Sequence, residues 1–254
     1  MYEEEPQTPV GDISTWDFQT LLSQAESGNA DAQHYLGDLY DCEPDGAADA
    51  VLWWRRAAAQ GHADAMSDLG TAYEGGSGVE RDIDKAIVLY SRAAERGARL
   101  GMANLARLYE YGIGLPADKA QMVLWYRRAA DLNCAEAQNR LGCCYDTGEG
   151  VVQNPALAAY WYSRAAHLNV PESQYNLGCC YEVGVGLPVD GAAALRWYQR
   201  AAESGSSRAQ HRLAWAYREG EFGLPVDEAE AWRLLELAEE QGLEIAEQTR
   251  EEWS

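Results

Sequence analysis

The chain has 254 residues and a formal net charge of −21, from 20 Lys and Arg against 41 Asp and Glu. This balance argues against a protein that coats nucleic acid or adsorbs to anionic lipid, because both functions need a basic surface. Apolar residues make up 47% of the chain, which is enough to bury a core. No apolar run approaches the ~20 residues of a membrane span, and the first residues lack the features of a secretory signal. We therefore expect a soluble, cytoplasmic protein.

The N-terminal end precedes the regular part of the chain. Residues 1–16 are predicted to form an acidic, disordered segment. Residues 17–28 resemble a lone second helix of the repeat that follows, with Gly28 matching Gly61.

A repeat of about 36 residues then covers residues 32–245. Its most regular feature is a leucine that is followed four residues later by a tyrosine. The leucines are Leu36, Leu69, Leu105, Leu141, Leu177 and Leu213. An Ala-Ala pair recurs with the same period, usually after an aromatic pair. Such self-similarity is typical of stacked repeats that bury a shared core between neighbours.

Each repeat is predicted to be a pair of helices. In one copy, Ala65, Leu69 and Tyr73 form an amphipathic stripe, and a glycine-rich segment then ends the first helix. Asp82 opens the second helix as its N-cap, and Gly97 closes it. The equivalent N-caps are Asp118, Asn154, Asp190 and Asp227. Small residues at positions such as Gly70 and Ala93 should let the helices approach closely beside Trp and Tyr side chains.

These spaced residues resemble the Sel-one-like repeat family, a relative of the tetratricopeptide repeats. The clearest copies are residues 65–100, 101–136, 137–172 and 173–208. The resemblance implies an all-α fold, a right-handed α/α superhelix (solenoid) of antiparallel helix pairs with about six repeats of 36 residues and terminal caps. We assign the solenoid to residues 17–242 and a polar C-terminal capping helix to residues 243–254. Proteins of this family are common in bacteria and act as adaptors, scaffolds and regulatory subunits.

The acidic residues are concentrated at the ends of this array. Residues 1–54 contain 12 acids and no base, and residues 219–254 contain 12 acids and two bases. Charged caps prevent solenoids from stacking end to end. The alternative is that an acidic end binds a partner, and both interpretations stay open.

The six cysteines are predicted to be reduced structural thiols, with zinc binding and redox sensing as alternatives. They are Cys42, Cys134, Cys143, Cys144, Cys179 and Cys180. Some relatives carry one disulfide per repeat, but the matching positions here include Ala94 and Met102. Cys144 and Cys180 should face inward and Cys143 and Cys179 outward, so one tetrahedral zinc site from all four is disfavoured. We expect no disulfide and no metal site.

The sequence contains no arrangement typical of an enzyme. Its histidines, at 34, 62, 167 and 211, have no catalytic or metal-ligand spacing. A row of arginines before the Ala-Ala pairs lies near helix C-termini, where a cation is favoured by the helix dipole. The arginines are Arg56, Arg92, Arg128, Arg164 and Arg200. We interpret them as structural, and we expect no enzyme activity, no cofactor and no nucleic-acid partner.

Partner binding is predicted on the concave face, which the first helix of each pair lines in related superhelices. The candidate residues are Glu110, Tyr111, Asp146, Tyr175, Glu182, His211, Trp215 and Arg218. The acids among them belong to an acidic row, the position five residues after each repeat leucine, which is acidic in five of the six repeats. Tyr111, Tyr175 and Trp215 are predicted to be exposed aromatic residues that the repeat core does not require, so they are candidate hot spots. The partner of this monomer would be a basic or mixed basic–apolar protein or peptide. The alternative function is an acidic, immunity-type protein that neutralises a basic toxin or enzyme.

Overall fold

The structure, a computed structural model, describes residues 17–254, so the predicted segment at residues 1–16 lies outside the described residues. The chain forms two compact units, divided between Ala117 and Asp118. The first unit contains α1 (Phe18–Glu26), α2 (Ala30–Asp41), α3 (Ala47–Ala59), α4 (Ala63–Gly75), α5 (Ile83–Glu95) and α6 (Arg99–Tyr111).

The second unit contains eight of the fourteen α-helices found in residues 17–254. They are α7 (Lys119–Asp131), α8 (Ala135–Thr147), α9 (Pro155–His167), α10 (Pro171–Val183), α11 (Gly191–Glu203), α12 (Ser207–Glu219), α13 (Glu228–Glu240) and α14 (Glu244–Trp253). Within each unit every helix packs against the next one along the chain. The described part of the chain has no β-strand, so the all-α fold of repeated helix pairs is confirmed. No helix in residues 17–254 is long and apolar enough to cross a bilayer.

The helix ends follow the predicted capping pattern. The Asp82 side chain accepts a hydrogen bond from the backbone N–H of Lys85 in α5, and the four equivalent N-caps accept backbone hydrogen bonds from their own helices. Pro155 occupies the first turn of α9, where its missing N–H costs nothing. Two repeats use asparagine where the others use a glycine such as Gly97. Asn133 and Asn169 adopt φ values of 62° and 61° there, which asparagine tolerates better than most residues.

In four of the helix pairs a glycine of the first helix faces a large aromatic ring of the second helix. A Cβ atom added to Gly70 would lie 2.8 Å from Tyr90 Cε1. The same construction at Gly178 gives 2.6 Å to Tyr198 Cε1. Both tyrosines are fully buried. The predicted close approach of the paired helices is therefore confirmed.

The arginine row lies in the last turns of the second helices, as predicted. In four of the five repeats the guanidinium also stacks over a tryptophan three residues earlier in the helix. The distances from the guanidinium carbon to the ring are 4.4 Å for Arg56–Trp53, 4.7 Å for Arg128–Trp125, 5.3 Å for Arg164–Trp161 and 5.0 Å for Arg200–Trp197. These cation–π contacts support the structural interpretation of the row.

Candidate functional site

The first helices of the pairs in the second unit are α8, α10 and α12, and we call their non-core surface the first-helix face. Six of the eight predicted binding residues lie on these helices. They are Asp146 on α8, Tyr175 and Glu182 on α10, and His211, Trp215 and Arg218 on α12. Glu110 and Tyr111 lie at the end of α6 in the first unit. Tyr111 is 56% exposed.

Glu182 belongs to an internal hydrogen-bond network. Its carboxylate accepts hydrogen bonds from the Tyr198 hydroxyl at 2.5 Å and from Arg212 Nε at 3.2 Å. Arg212 Nη2 also contacts Glu182, and Arg212 Nη1 reaches Glu221 Oε2 at 2.5 Å. Burial raises the pKa of Glu182, but the hydrogen bonds and charge of Arg212 and Tyr198 lower it by more, so the pKa is lowered overall. This acid is therefore already paired with a guanidinium.

The same arrangement occurs in the first unit at Glu74. The Tyr90 hydroxyl donates to Glu74 Oε2 at 2.9 Å, and Arg107 donates from Nη1 at 2.9 Å and from Nη2 at 2.6 Å. Such a two-point guanidinium–carboxylate pair is among the stronger polar contacts in proteins. The acidic row predicted from the sequence therefore stabilises contacts between neighbouring repeats at two of its positions.

Asp146 occupies the same position in its repeat but has no such partner. Among the described residues 17–254, its carboxylate makes no hydrogen bond or ion pair, and only its main-chain oxygen accepts a bond, from Gln153. The tyrosine that faces it, Tyr162, is hydrogen-bonded to Cys143. Burial raises the pKa of Tyr162, and Cys143 and the nearby charge of Asp146 raise it further. Asp146 is thus a partly exposed, unpaired carboxylate on the first-helix face.

Tyr175 is less exposed than the sequence indicated. Its ring lies 4.3 Å from the guanidinium carbon of Arg208 and 5.6 Å from the ring of Tyr198. Val183, the last residue of the same helix, is 68% exposed. An aromatic ring, an exposed valine and the Asp146 carboxylate are therefore available on this face.

The expectation that Trp215 is a freely exposed aromatic is wrong. Its ring packs edge-on against Trp253 of α14 at a centroid distance of 5.1 Å. The guanidinium carbon of Arg218 lies 4.4 Å from the Trp253 ring, and His211 Nε2 lies 2.9 Å from Thr249 Oγ1. Three of the predicted binding residues therefore contact the last helix of the same chain. The available sequence signal was that Trp253 follows the repeat tyrosine Tyr217 by 36 residues.

Replacing Trp253 with alanine should release α14 from the second unit. The Trp253 ring contacts Trp215, Trp232 and Arg218, and alanine would remove all three contacts. Hydrogen–deuterium exchange should then show loss of protection in α14 and unchanged protection in α8. The replacement of Ile245 by alanine, a 52% exposed residue of the same helix, is the matched control. Unchanged protection of α14 in the Trp253 variant would contradict this assignment.

The cysteines lie as their spacing predicts. Cys144 and Cys180 are buried, whereas Cys143 and Cys179 are partly exposed. Burial raises the pKa of Cys180 to about 11, and the nearby charge of Asp146 adds to the shift. No disulfide joins any of the six cysteines, which all lie within residues 17–254. Because the thiolate is the reactive form, the raised pKa makes Cys180 a poor nucleophile.

A histidine–carboxylate cluster in the first unit was not predicted. His34 Nε2 lies 2.7 Å from Asp68 Oδ2 and 3.5 Å from Asp38 Oδ1, and its ring stacks on His62 at 4.5 Å. The three donor atoms of His34, Asp38 and Asp68 lie within 4.8 Å of one another, so they are close enough to ligate one cation. Asp38 also accepts a hydrogen bond from Trp54 Nε1 at 3.0 Å. In the structure these groups bond to one another or to Trp54.

The two stacked histidines should titrate on opposite sides of the ordinary value of 6.5. Burial lowers the pKa of His34, but the Asp68 hydrogen bond and the charges of Asp38, Asp64 and Asp68 raise it by more. Burial and the charge of His34 lower the pKa of His62. The stability that His34 contributes should therefore be present below pH 6.5 and be lost as the pH rises through its raised pKa. NMR titration of the Asp68→Asn variant should show a lower pKa for His34, and an unchanged value would contradict the pairing.

A model of the Sel1 repeat matches six consecutive segments of the chain. They are residues 30–62, 63–97, 99–134, 135–170, 171–206 and 207–243. The chain belongs to the Sel1 repeat family. Sel1 repeat proteins generally function in protein–protein interaction, so this coarse function is expected of the chain. The match begins at the first residue of α2 and extends to the residue before α14.

Several crystal structures are similar to this Sel1 repeat protein. A protective antigen of uropathogenic Escherichia coli strains with an SLR fold is 34% identical, with a TM-score of 0.77 over 91% of this chain and 50% of that chain. The chain thus spans about half the length of the antigen. A Sel1 repeat protein from Oxalobacter formigenes is 29% identical, with a TM-score of 0.73 over 87% of this chain and 95% of that chain.

An immunity protein from Pseudomonas aeruginosa shares the fold at lower similarity. It is 23% identical, with a TM-score of 0.52 over 83% of this chain and 81% of that chain. No curated protein is significantly similar to this sequence. The comparisons therefore establish the family and the fold of the Sel1 repeats, and the role of the chain has to be argued from its own residues.

Proposed function

We propose that this Sel1 repeat protein is an adaptor or scaffold that binds a segment of another protein on the first-helix face of its second unit. The observation that carries the proposal is the combination of Val183, Tyr175 and Asp146 on this face. Internal packing uses neither the side chain of Val183, which is 68% exposed, nor the carboxylate of Asp146. Apolar contacts of this kind, with a few placed charges, are typical of protein-binding surfaces.

The chemistry of this face favours a basic or mixed basic–apolar segment. Val183 and the Tyr175 ring offer apolar contact area, and Asp146 offers a negative charge. The net charge of −21 would accelerate the encounter with a basic partner. The contribution of long-range charge should decrease as salt is added, whereas the apolar contacts should persist.

Val183→Asp should weaken binding of the captured partner. The substitution places a charge in the apolar part of the proposed interface without touching a buried residue. We expect dissociation to be faster by about 10-fold, which corresponds to about 1.4 kcal/mol. The partner is captured by affinity purification and identified by mass spectrometry. Its dissociation rate from the wild type and from Val183→Asp is then measured by surface plasmon resonance.

The matched control is Tyr160→Ser on α9, which changes a 51% exposed residue of a second helix. Dissociation from this variant should match the wild type. Equal dissociation from all three proteins would place the interface away from the first-helix face. Because Val183 and Tyr160 are both surface residues, each variant should keep the circular dichroism spectrum of the wild type. This spectrum is the control that each variant is folded.

The second candidate function, neutralisation of a basic toxin or enzyme, is favoured by the same net charge of −21. It differs in what binding does to the partner. If the captured partner is a basic enzyme or toxin whose activity stops on binding, the protein is a neutraliser. If the partner keeps its activity and is joined to a third protein, the protein is an adaptor.

A further inference from the structure

We propose that Asp146 is the docking point for an arginine side chain of the partner segment. The inference rests on the proposed function and adds to it the chemistry of one specific contact. It comes from comparing three of the five acids at this repeat position: Glu74, Asp146 and Glu182.

In two of these repeats the chain itself supplies a guanidinium to the acid. Arg107 lies 33 residues after Glu74 and donates two hydrogen bonds to it. Arg212 lies 30 residues after Glu182 and contacts both carboxylate oxygens. Arginines at two different positions of the following first helix thus reach the same point beside the acid. The geometry of the repeat therefore leaves room for a guanidinium at this point.

In the repeat of Asp146 neither position can supply a cation. The residue 33 positions later is Cys179, and the residue 30 positions later is Asn176. Arg208 lies on α12, two first helices after the one that carries Asp146, and its guanidinium is stacked over Tyr175 at 4.3 Å. The carboxylate of Asp146 therefore remains unpaired. Cys179 is shorter than the arginine at the equivalent position, so an arginine side chain of a partner could reach the carboxylate.

The surroundings favour arginine over lysine. The guanidinium of Arg212 lies 5.8 Å from the ring of Tyr198, and Tyr162 is the equivalent ring beside Asp146. A planar, weakly hydrated guanidinium can stack on an aromatic ring and bond a carboxylate at two points, whereas a lysine ammonium acts as a point charge. The buried side chains of Tyr162 and Cys180 both interact with the charge of Asp146, and a charge pair is stronger beside buried groups than in open solvent.

The site can be tested first by supplying the arginine within the chain. Cys179→Arg places it where Arg107 stands relative to Glu74. We expect its melting temperature to be about 2–4 °C above that of the uncharged control Cys179→Met. This difference in melting temperature should disappear when Asp146→Asn is added to both the Cys179→Arg and the Cys179→Met variant. If Cys179→Arg does not fold, Asn176→Arg, which mimics Arg212, is measured against Asn176→Met. A gain that is absent, or that does not depend on Asp146, would overturn the inference.

The partner contact is tested with a phage-displayed library of random linear peptides selected on the wild-type protein. We expect arginine to be enriched at one position of the selected peptides. Binding should fall at least about 10-fold in Asp146→Asn and in Cys179→Arg and stay unchanged in Tyr160→Ser. A selection without arginine enrichment, including one that yields no binder, would overturn the inference.

The two proposals fail in different ways in this selection. Peptides that lack arginine but lose binding with Val183→Asp overturn the role of Asp146 and leave the first-helix face as the binding surface. Peptides that bind Val183→Asp and Asp146→Asn as well as wild type contradict both proposals.

Discussion

Replacing Tyr198 with alanine should destabilise the second unit by about 3–5 kcal/mol. The ring is fully buried and fills the space beside Gly178, so its removal leaves a cavity that the two helices cannot close. The hydroxyl also donates to Glu182 and lies 3.3 Å from Cys179 Sγ. Alanine would therefore remove both the apolar filling and one partner of the Glu182 network.

Urea unfolding followed by circular dichroism measures this loss of stability. The matched control is Tyr160→Ala, at a 51% exposed position of α9, where the change should stay within about 0.5 kcal/mol. A similar small change for Tyr198→Ala would show that the ring is not a core element of the helix pair.

Replacing Gly70 with alanine should destabilise the first unit by about 1–3 kcal/mol. The added methyl group would lie 2.8 Å from Tyr90 Cε1, closer than carbon atoms can approach. Because the ring is buried on all sides, α4 and α5 must move apart to admit the methyl group. This loss of stability is opposite in sign to the gain of about 1 kcal/mol that is usual when alanine replaces glycine at an exposed position of a helix.

Gly75 at the end of the same helix supplies the control. A Cβ atom added there meets no atom within 4 Å, so Gly75→Ala should be neutral or slightly stabilising. The two variants are compared by their urea midpoints at equal slope. Equal stability of both would mean that helix propensity, and not the contact with Tyr90, decides the residue at position 70.

The features that could be predicted from the sequence depend on fixed local offsets. The N-caps such as Asp82 stand at a constant place in five of the six repeats, and capping needs only the backbone of the next turn. The contact between Gly70 and Tyr90 joins helices of one pair, so it recurs with the repeat period. The opposite exposure of Cys143 and Cys144 follows from the 100° step between adjacent helical residues.

The features that could not be predicted join different repeats through particular side chains. The pairing of Glu182 with Arg212 depends on a residue 30 positions away that has no counterpart in most repeats. The acidic row therefore suggested a partner surface where two of its members are paired internally. Trp215 was interpreted as exposed because its contact with Trp253 depends on how α14, the helix after the last repeat, packs against α12. The contact between His34 of α2 and Asp68 of α4 also joins two repeats, through side chains 34 residues apart.

Site-specific photocrosslinking in the cells that produce the protein tests most directly whether the first-helix face of the second unit binds another protein. The crosslinking amino acid p-benzoylphenylalanine is placed at Thr147, an exposed residue beside Asp146, and in a second protein at Tyr160 on α9. We predict a discrete adduct from position 147 that disappears when Val183→Asp is added, and no such adduct from position 160. Adducts that form equally from both positions, or only from position 160, would contradict the assignment of the binding surface.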